Sequence, residues 1–204
     1  MAIKTKKRRR NRRERRIVPI ALAVTVLAAI GVLVYSLLTP DYRLENENDP
    51  VATVILANGD KIIVELFPDA APETVWNFIQ LANSGYYDGL GFHKIVTNQR
   101  VQTGLGEDRP AIRGEFSRNG VDNPISHTRG TLSMARLTGY DTAKTQFFIC
   151  LGDQSYFDGA YAAFGRVVKG MEYVDKIAQS GENGLKIKTI RVDAKEFTYQ
   201  AQAK

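Results

Sequence analysis

Cys150, His93 and His127 are the side chains best suited to covalent, metal or acid–base chemistry in this sequence, and their placement argues against each use. A single cysteine makes neither an intrachain disulfide nor a cysteine metal cluster. At the end of the apolar run FFIC it reads as a buried small hydrophobe. Two histidines are too few for a histidine-rich metal site. His93, next to Phe92 in a strand-like run, reads as a hydrogen-bonded structural side chain, and His127 stands in a loop without an evident Cys or carboxylate partner. What remains are cations and amides interleaved with aromatics, concentrated in three segments that follow one another: FHKIVTNQRVQTG (92–104), GTLSMAR (130–136) and the run from 145 to 177.

The elements that must position these residues are short. VATVILANGDKIIVELF (51–67) holds two β-rich runs around Asn58-Gly59-Asp60, a hairpin signal. Pro72-Glu73-Thr74 opens a segment in which Val75, Phe78, Ile79 and Ala82 recur at helical spacing, ending at Gly85. Trp76 within it reads as packing. Further strands are expected at 92–96, 100–104, 130–135, 145–151, 162–168 and 187–197, with a second helix over 171–179. Eight short strands with two helices lack the βαβ rhythm and point to a mainly β fold, an antiparallel barrel with helical caps. Arg109, Arg113, Arg118 and Arg129 have acids between them and read as a solvated loop face.

Charge divides the chain. The 204 residues carry 28 basic and 22 acidic side chains, a net of +6; ten of the bases and one acid lie in residues 1–16, so residues 17–204 carry a net of −3. The body is therefore mildly acidic, which excludes a basic nucleic-acid-binding domain. Ile17 to Leu38 contains no charged residue. As a helix this run spans roughly the 30 Å of a bilayer core. A cleavable signal peptide has an apolar region of about 7–15 residues and a small-residue cleavage site, which this run lacks, so an uncleaved signal anchor is expected. The ten bases then act as a cytoplasmic topology signal that also favours anionic lipid. The expected organisation is a basic cytoplasmic tail (1–16), a transmembrane helix (17–38) in contact with membrane lipid, a polar, exposed linker (39–50) and a domain (51–200) beyond the membrane.

The run Gln146-Phe147-Phe148-Ile149, with Phe157-Asp158-Gly159, Phe164-Gly165 and the two upstream segments in the same order, resembles the cyclophilin-type peptidyl-prolyl isomerases, and their bacterial members closely. The resemblance covers essentially all of residues 51–197. It implies an eight-stranded antiparallel barrel capped by two helices, a monomeric domain, proline-containing polypeptides as partners, no nucleic acid and no cofactor. The reaction it implies is rotation about the X–Pro bond, slowed by amide resonance to a barrier near 20 kcal/mol. Donors that hold the rotating carbonyl and a cation near the prolyl nitrogen favour the twisted state.

Residue by residue, the resemblance implies that Gln102 hydrogen-bonds the substrate backbone, that Phe148 floors the proline pocket, and that Ala135 and Gln146 border the substrate. Phe157 stands where the family has leucine. The family pattern Phe-His-Arg continuing to Phe-Met-x-Gln-Gly-Gly is here Phe92-His93-Lys94 and Gln99-Arg100-Val101-Gln102-Thr103-Gly104. Lys94 thus holds the catalytic arginine's position, and Gln99 and Arg100 replace two apolar wall residues. Lysine lacks arginine's planar fork. Tyr156 and Tyr161 occupy the family's tryptophan and histidine positions. Two outcomes are consistent with this pattern: a prolyl isomerase of reduced activity that uses Lys94 or Arg100 as its cation, or a non-catalytic peptide-binding module or chaperone.

Overall fold

The computed structural model describes residues 45–200. Strands β1 (Val51–Leu56) and β2 (Lys61–Leu66) form the expected hairpin, with Gly59 at φ 91 in the turn, where a side chain would be strained. Helix α1 (Pro72–Asn83) follows, then β3 (Lys94–Val96), β4 (Arg100–Thr103), β5 (Thr131–Met134), β6 (Phe147–Cys150), β7 (Ala163–Lys169), helix α2 (Met171–Ser180) and β8 (Ile187–Asp193). All eight strands join one antiparallel sheet in the order β3-β4-β6-β5-β7-β2-β1-β8. The sheet curls until its two edges meet at a bridge between Gly91 and Lys186. Hydrogen bonds from Asn183 N to Phe92 O and from Ile187 N to Leu90 O, both 2.9 Å, reinforce that seam.

The core fills the inside of this half-barrel. Val75, Phe78, Ile79 and Ala82 of α1 are buried, as their spacing predicts. Phe78 lies 5.3 Å from the rings of Phe147 and Phe164. Trp76 packs against Phe197 and Tyr199. The N-terminal amides Glu73 N and Thr74 N of α1, which have no partner within the helix, donate to the carboxylate of Glu115 at 3.0 and 2.7 Å. A distant acid therefore caps this helix and meets the positive end of its dipole.

Two expectations need correction. Residues 45–50, read as the end of an exposed linker, are bound to the domain: Asp49 and Pro50 are buried, Asn46 N donates to Glu65 Oε1 at 2.9 Å, and Leu66 N donates to Pro50 O. The cause is Glu65, wholly buried in β2, one of whose carboxylate oxygens takes its donor from this segment while Oε2 stays without a partner. The last strand ends at Asp193 rather than 197, because Asp193 Oδ1 accepts Lys195 N in a turn. Among the described residues no helix is long and apolar enough to cross a membrane. The basic tail and the apolar run 17–38 lie outside the described residues.

Candidate functional site

Strand alternation sorts the side chains of β4 and β6 onto two faces. Val101, Phe147 and Ile149 join the main core, whereas Phe148 and Cys150 form a second, smaller cluster with Phe157. Register then draws a row across the sheet: Lys94 is opposite Gln102, Gln102 opposite Phe148, and Phe148 opposite Ser133. A cation, an amide and an aromatic ring thus stand on neighbouring strands, which run about 4.8 Å apart. Arg100 is one pair further along, opposite Cys150. The β3–β4 turn that presents Gln99 and Arg100 carries Asn98 at φ 57, and Gln154 Nε2 holds its carbonyl at 3.0 Å.

The rings of Phe148, Phe157 and Tyr161 converge, with centroids 5.2, 5.9 and 4.9 Å apart pairwise. Tyr156 packs against Phe157 with ring centroids 4.2 Å apart and tilted by 47°, and is 56 % exposed. Phe148 and Phe157 are only 2 % and 5 % exposed, and one cover on them is Arg100. Its guanidinium carbon lies 5.4 Å from each of these two ring centres. The guanidinium also donates to Gln99 Oε1 and, at 3.4 Å, to Gln102 Oε1. Gln102 in turn donates through Nε2 to Gln146 Oε1 at 3.0 Å. Its amide therefore links the aromatic cluster to the groove beside it.

That groove is a pocket of about 440 Å³ whose walls include Lys94, Gln102, Ala135, Gln146, Leu105 and Leu137. Lys94 is exposed at its edge, and Leu105 and Leu137 are 58 % and 74 % exposed. Gly104, at φ 87, lets β4 pass close to the 145–146 segment; a Cβ there would collide with Thr145 O and lie 2.9 Å from Gln146 Cα. This close approach keeps Gln146 within reach of Gln102.

The remaining candidates are settled by burial. His127, expected to lack a carboxylate partner, has one: its Nδ1 lies 2.8 Å from Asp158 Oδ1 and its Nε2 2.9 Å from Ser133 Oγ. Asp158 is 31 residues away in sequence, so only the fold brings it close. A carboxylate only accepts, so Nδ1 carries the proton and Nε2 accepts the Ser133 hydroxyl. Burial holds the imidazole's pKa below the usual histidine range despite Asp158, which keeps the ring neutral at pH 7. Ser133 and His127 are inaccessible, so this relay supports Phe148 from beneath, with the His127 ring stacked 6.2 Å from it. His93 is a hydrogen-bonded structural side chain as expected, with Gln146 as its partner, although its Nδ1 is buried without one. Burial pushes its pKa down against the opposing effect of Gln146. Cys150 is buried as expected, its thiol pushed up to about 12 by desolvation, so it holds no reactive thiolate. Arg109, Arg113, Arg118 and Arg129 are exposed, and Arg129 forms a bidentate pair with Asp175 at 2.9 and 2.6 Å.

The family model for cyclophilin-type peptidyl-prolyl cis-trans isomerases matches residues 52–196. Peptidyl-prolyl cis-trans isomerase B of Bacillus subtilis is 40% identical over 145 residues, covering 68% of this chain and 95% of that protein. Peptidyl-prolyl cis-trans isomerase A of Dickeya dadantii is 35% identical, covering 74% of this chain and 82% of its own length. Among solved structures, a cyclophilin-type isomerase of Cryptosporidium parvum superposes with a TM-score of 0.62 at 25% identity, covering 71% of this chain and 97% of that one. The same protein has been crystallised in the presence of the dipeptide Ala-Pro. This chain belongs to the cyclophilin-type peptidyl-prolyl cis-trans isomerase family.

Proposed function

We propose that this isomerase works with Lys94 as its cation and Gln102 as its carbonyl-holding donor, on prolines bound over Phe148. One observation carries the reading: Lys94, Gln102 and Phe148 face one another across β3, β4 and β6. A proline ring on Phe148 then has an amide and an ammonium beside its peptide bond. Donors fixed before the reaction lower the barrier because they meet the twisted state without reorganising. Ala135, Gln146, Phe157, Tyr156 and Tyr161 border the bound chain, and Gln99 buttresses Arg100. Turnover is reduced for two reasons. Lysine offers a point charge where a planar fork would grip two acceptors, and Arg100 rests on the rings that proline needs.

The test is exchange NMR of an Ala-Pro peptide with the purified full chain in nonionic detergent. Acceleration that falls about 100-fold in kcat/KM with Lys94→Ala, at unchanged Tm, supports the assignment; undiminished turnover in that variant overturns it. Arg100 on the rings favours a second reading, a peptide-binding module or chaperone without catalysis. Peptide binding with no rate effect would establish that reading instead.

The setting we propose is bacterial and extracytoplasmic. Ten bases in residues 1–16 followed by the uncharged run 17–38 support a single-pass anchor with its amino terminus in the cytoplasm. The chain from residue 39 leads into a monomeric domain, on which 45–50 are docked, that assists folding beyond the membrane. Protease added to intact cells should digest this domain; its survival until the membrane is breached would reverse the topology.

A further inference from the structure

We infer that the site selects prolines flanked by acidic residues, and that Arg100 is the residue that sets this preference. The inference rests on the assignment of the Phe148 cluster as the proline subsite. The guanidinium of Arg100 already occupies the faces of Phe148 and Phe157. Guanidinium and pyrrolidine compete for the same rings, so an incoming proline must displace the cation. The displaced group stays tethered to β4, where it loses both ring contacts and needs a new acceptor. A neutral segment offers it only amides, like those it leaves on Gln99 and Gln102. A carboxylate beside the proline offers a bidentate, charge-assisted pair.

The groove's other charges point the same way. Its acids are already paired: Asp108 with Lys144 at 2.7 Å, and Glu107 with Arg109 at 3.1 Å. Glu182, close to β3, accepts the Ile95 amide. Among the described residues, by contrast, no carboxylate pairs with Lys94, Arg100 or Arg136. Arg136 donates instead to the carbonyls of Ala160, Leu137 and Thr138 and lies 4.7 Å over Tyr161. Among the described residues two carboxylates near the subsite also lack a Lys or Arg partner: Glu182, and Asp158, which accepts from the neutral His127. The three cations Lys94, Arg100 and Arg136 outnumber them, so the local balance is positive, on a body whose residues 17–204 carry a net of −3. Bulk charge would steer acidic chains away, so the preference originates locally.

The experiment uses three peptides with a common Ala-Pro bond and Glu, Gln or Lys on both flanks. Exchange NMR with the full chain in nonionic detergent gives kcat/KM, and peptide titration gives Kd. We expect Glu above Gln above Lys in both, with about tenfold between Glu and Gln at low salt, shrinking in about 0.5 M NaCl. Arg100→Met should raise kcat/KM for the Gln peptide and compress the Glu-to-Gln ratio to about twofold, the share left to Lys94 and Arg136. Arg100→Gln gives the same readout should the methionine variant not fold. Equal kcat/KM and Kd for all three peptides would overturn the inference and leave the isomerase reading intact. An unchanged ratio in both variants would overturn the role of Arg100. Loss of acceleration for every peptide would overturn the catalytic reading alone, because the order of Kd values still decides the preference.

Discussion

Along β6, Phe147 and Phe148 are adjacent, of the same type and each 2 % exposed, but they are hidden by different things. Phe147 turns into the half-barrel and meets Phe78 and Tyr87, rings 5.3 Å away that belong to the same continuous core. Phe148 turns outward and is hidden by an arginine, a histidine and the rings of a second cluster. The inner cover is apolar and cannot leave without opening the core. Part of the outer cover is a charged side chain at the start of an edge-side strand, held by two amides, and it can be exchanged for a ligand. Low accessibility therefore has two meanings in this molecule. On one face of the sheet it records stability, and on the other it records an occupied site.

The largest effect should come from the inner face. Phe147→Ala removes a ring that the core cannot replace and should cost about 3–5 kcal/mol in urea unfolding. Phe148→Ala should cost less than half of that, about 1–2 kcal/mol, because it belongs to the smaller cluster and part of its cover is the Arg100 side chain, which can shift into the space left. Turnover should nonetheless fall about 100-fold, since the floor under the proline is gone. Equal stability losses for the two variants would break the contrast between the faces. Glu115 sharpens it with a polar group buried for good. Its carboxylate accepts the two α1 amides at a site where burial raises its pKa. Glu115→Ala strands both donors and should cost about 1–3 kcal/mol with kcat/KM unchanged. A fall in activity without a fall in stability would mean that α1 communicates with the site.

The inner face was largely legible in the sequence and the outer face only in part. Alternation and helical spacing placed eight strands and two helices in the right order, because core burial imposes a period that single residues report. The row Lys94–Gln102–Phe148 followed from family resemblance. The pairing of Asp158 with His127, the capping of α1 by Glu115 and the docking of residues 45–50 on Glu65 did not show. Each joins residues between 19 and 42 positions apart through polar contacts, which carry no periodic signal. Nor did residue type reveal where Arg100 rests. An arginine replacing methionine reads as a wetter wall, whereas the fold lays its guanidinium flat on two rings.

The smallest predicted effect tests whether a third cover, the segment 45–50 on β2, belongs with the permanent or the exchangeable kind. Asp49 is pushed from 3.8 up to about 6 by burial first, then by the carboxylates of Glu65 and Asp69; Lys195 and the Asn46 amide pull the other way. Below pH 3.8 folded and unfolded chains both hold the proton. Between there and about 6 the folded chain keeps a proton that the unfolded chain has released, so stability falls as pH rises through that window. Above it a fixed penalty remains, on the order of 1 kcal/mol once solvent screening is included. Asp49→Asn keeps an acceptor for the Asn46 amide, which lies 3.1 Å away, and removes the charge. Its Tm should match the wild type near pH 4 and exceed it at pH 7. Glu115 titrates with the same sign, but it does so in both proteins and cancels in the difference. If the two Tm curves run parallel, Asp49 carries no proton on folding and the segment is as permanent a cover as the core. If they diverge as described, the strip of chain that leads into the domain is held most tightly when Asp49 is protonated. A second surface of the sheet would then be hidden by something that conditions can loosen, as Arg100 hides Phe148.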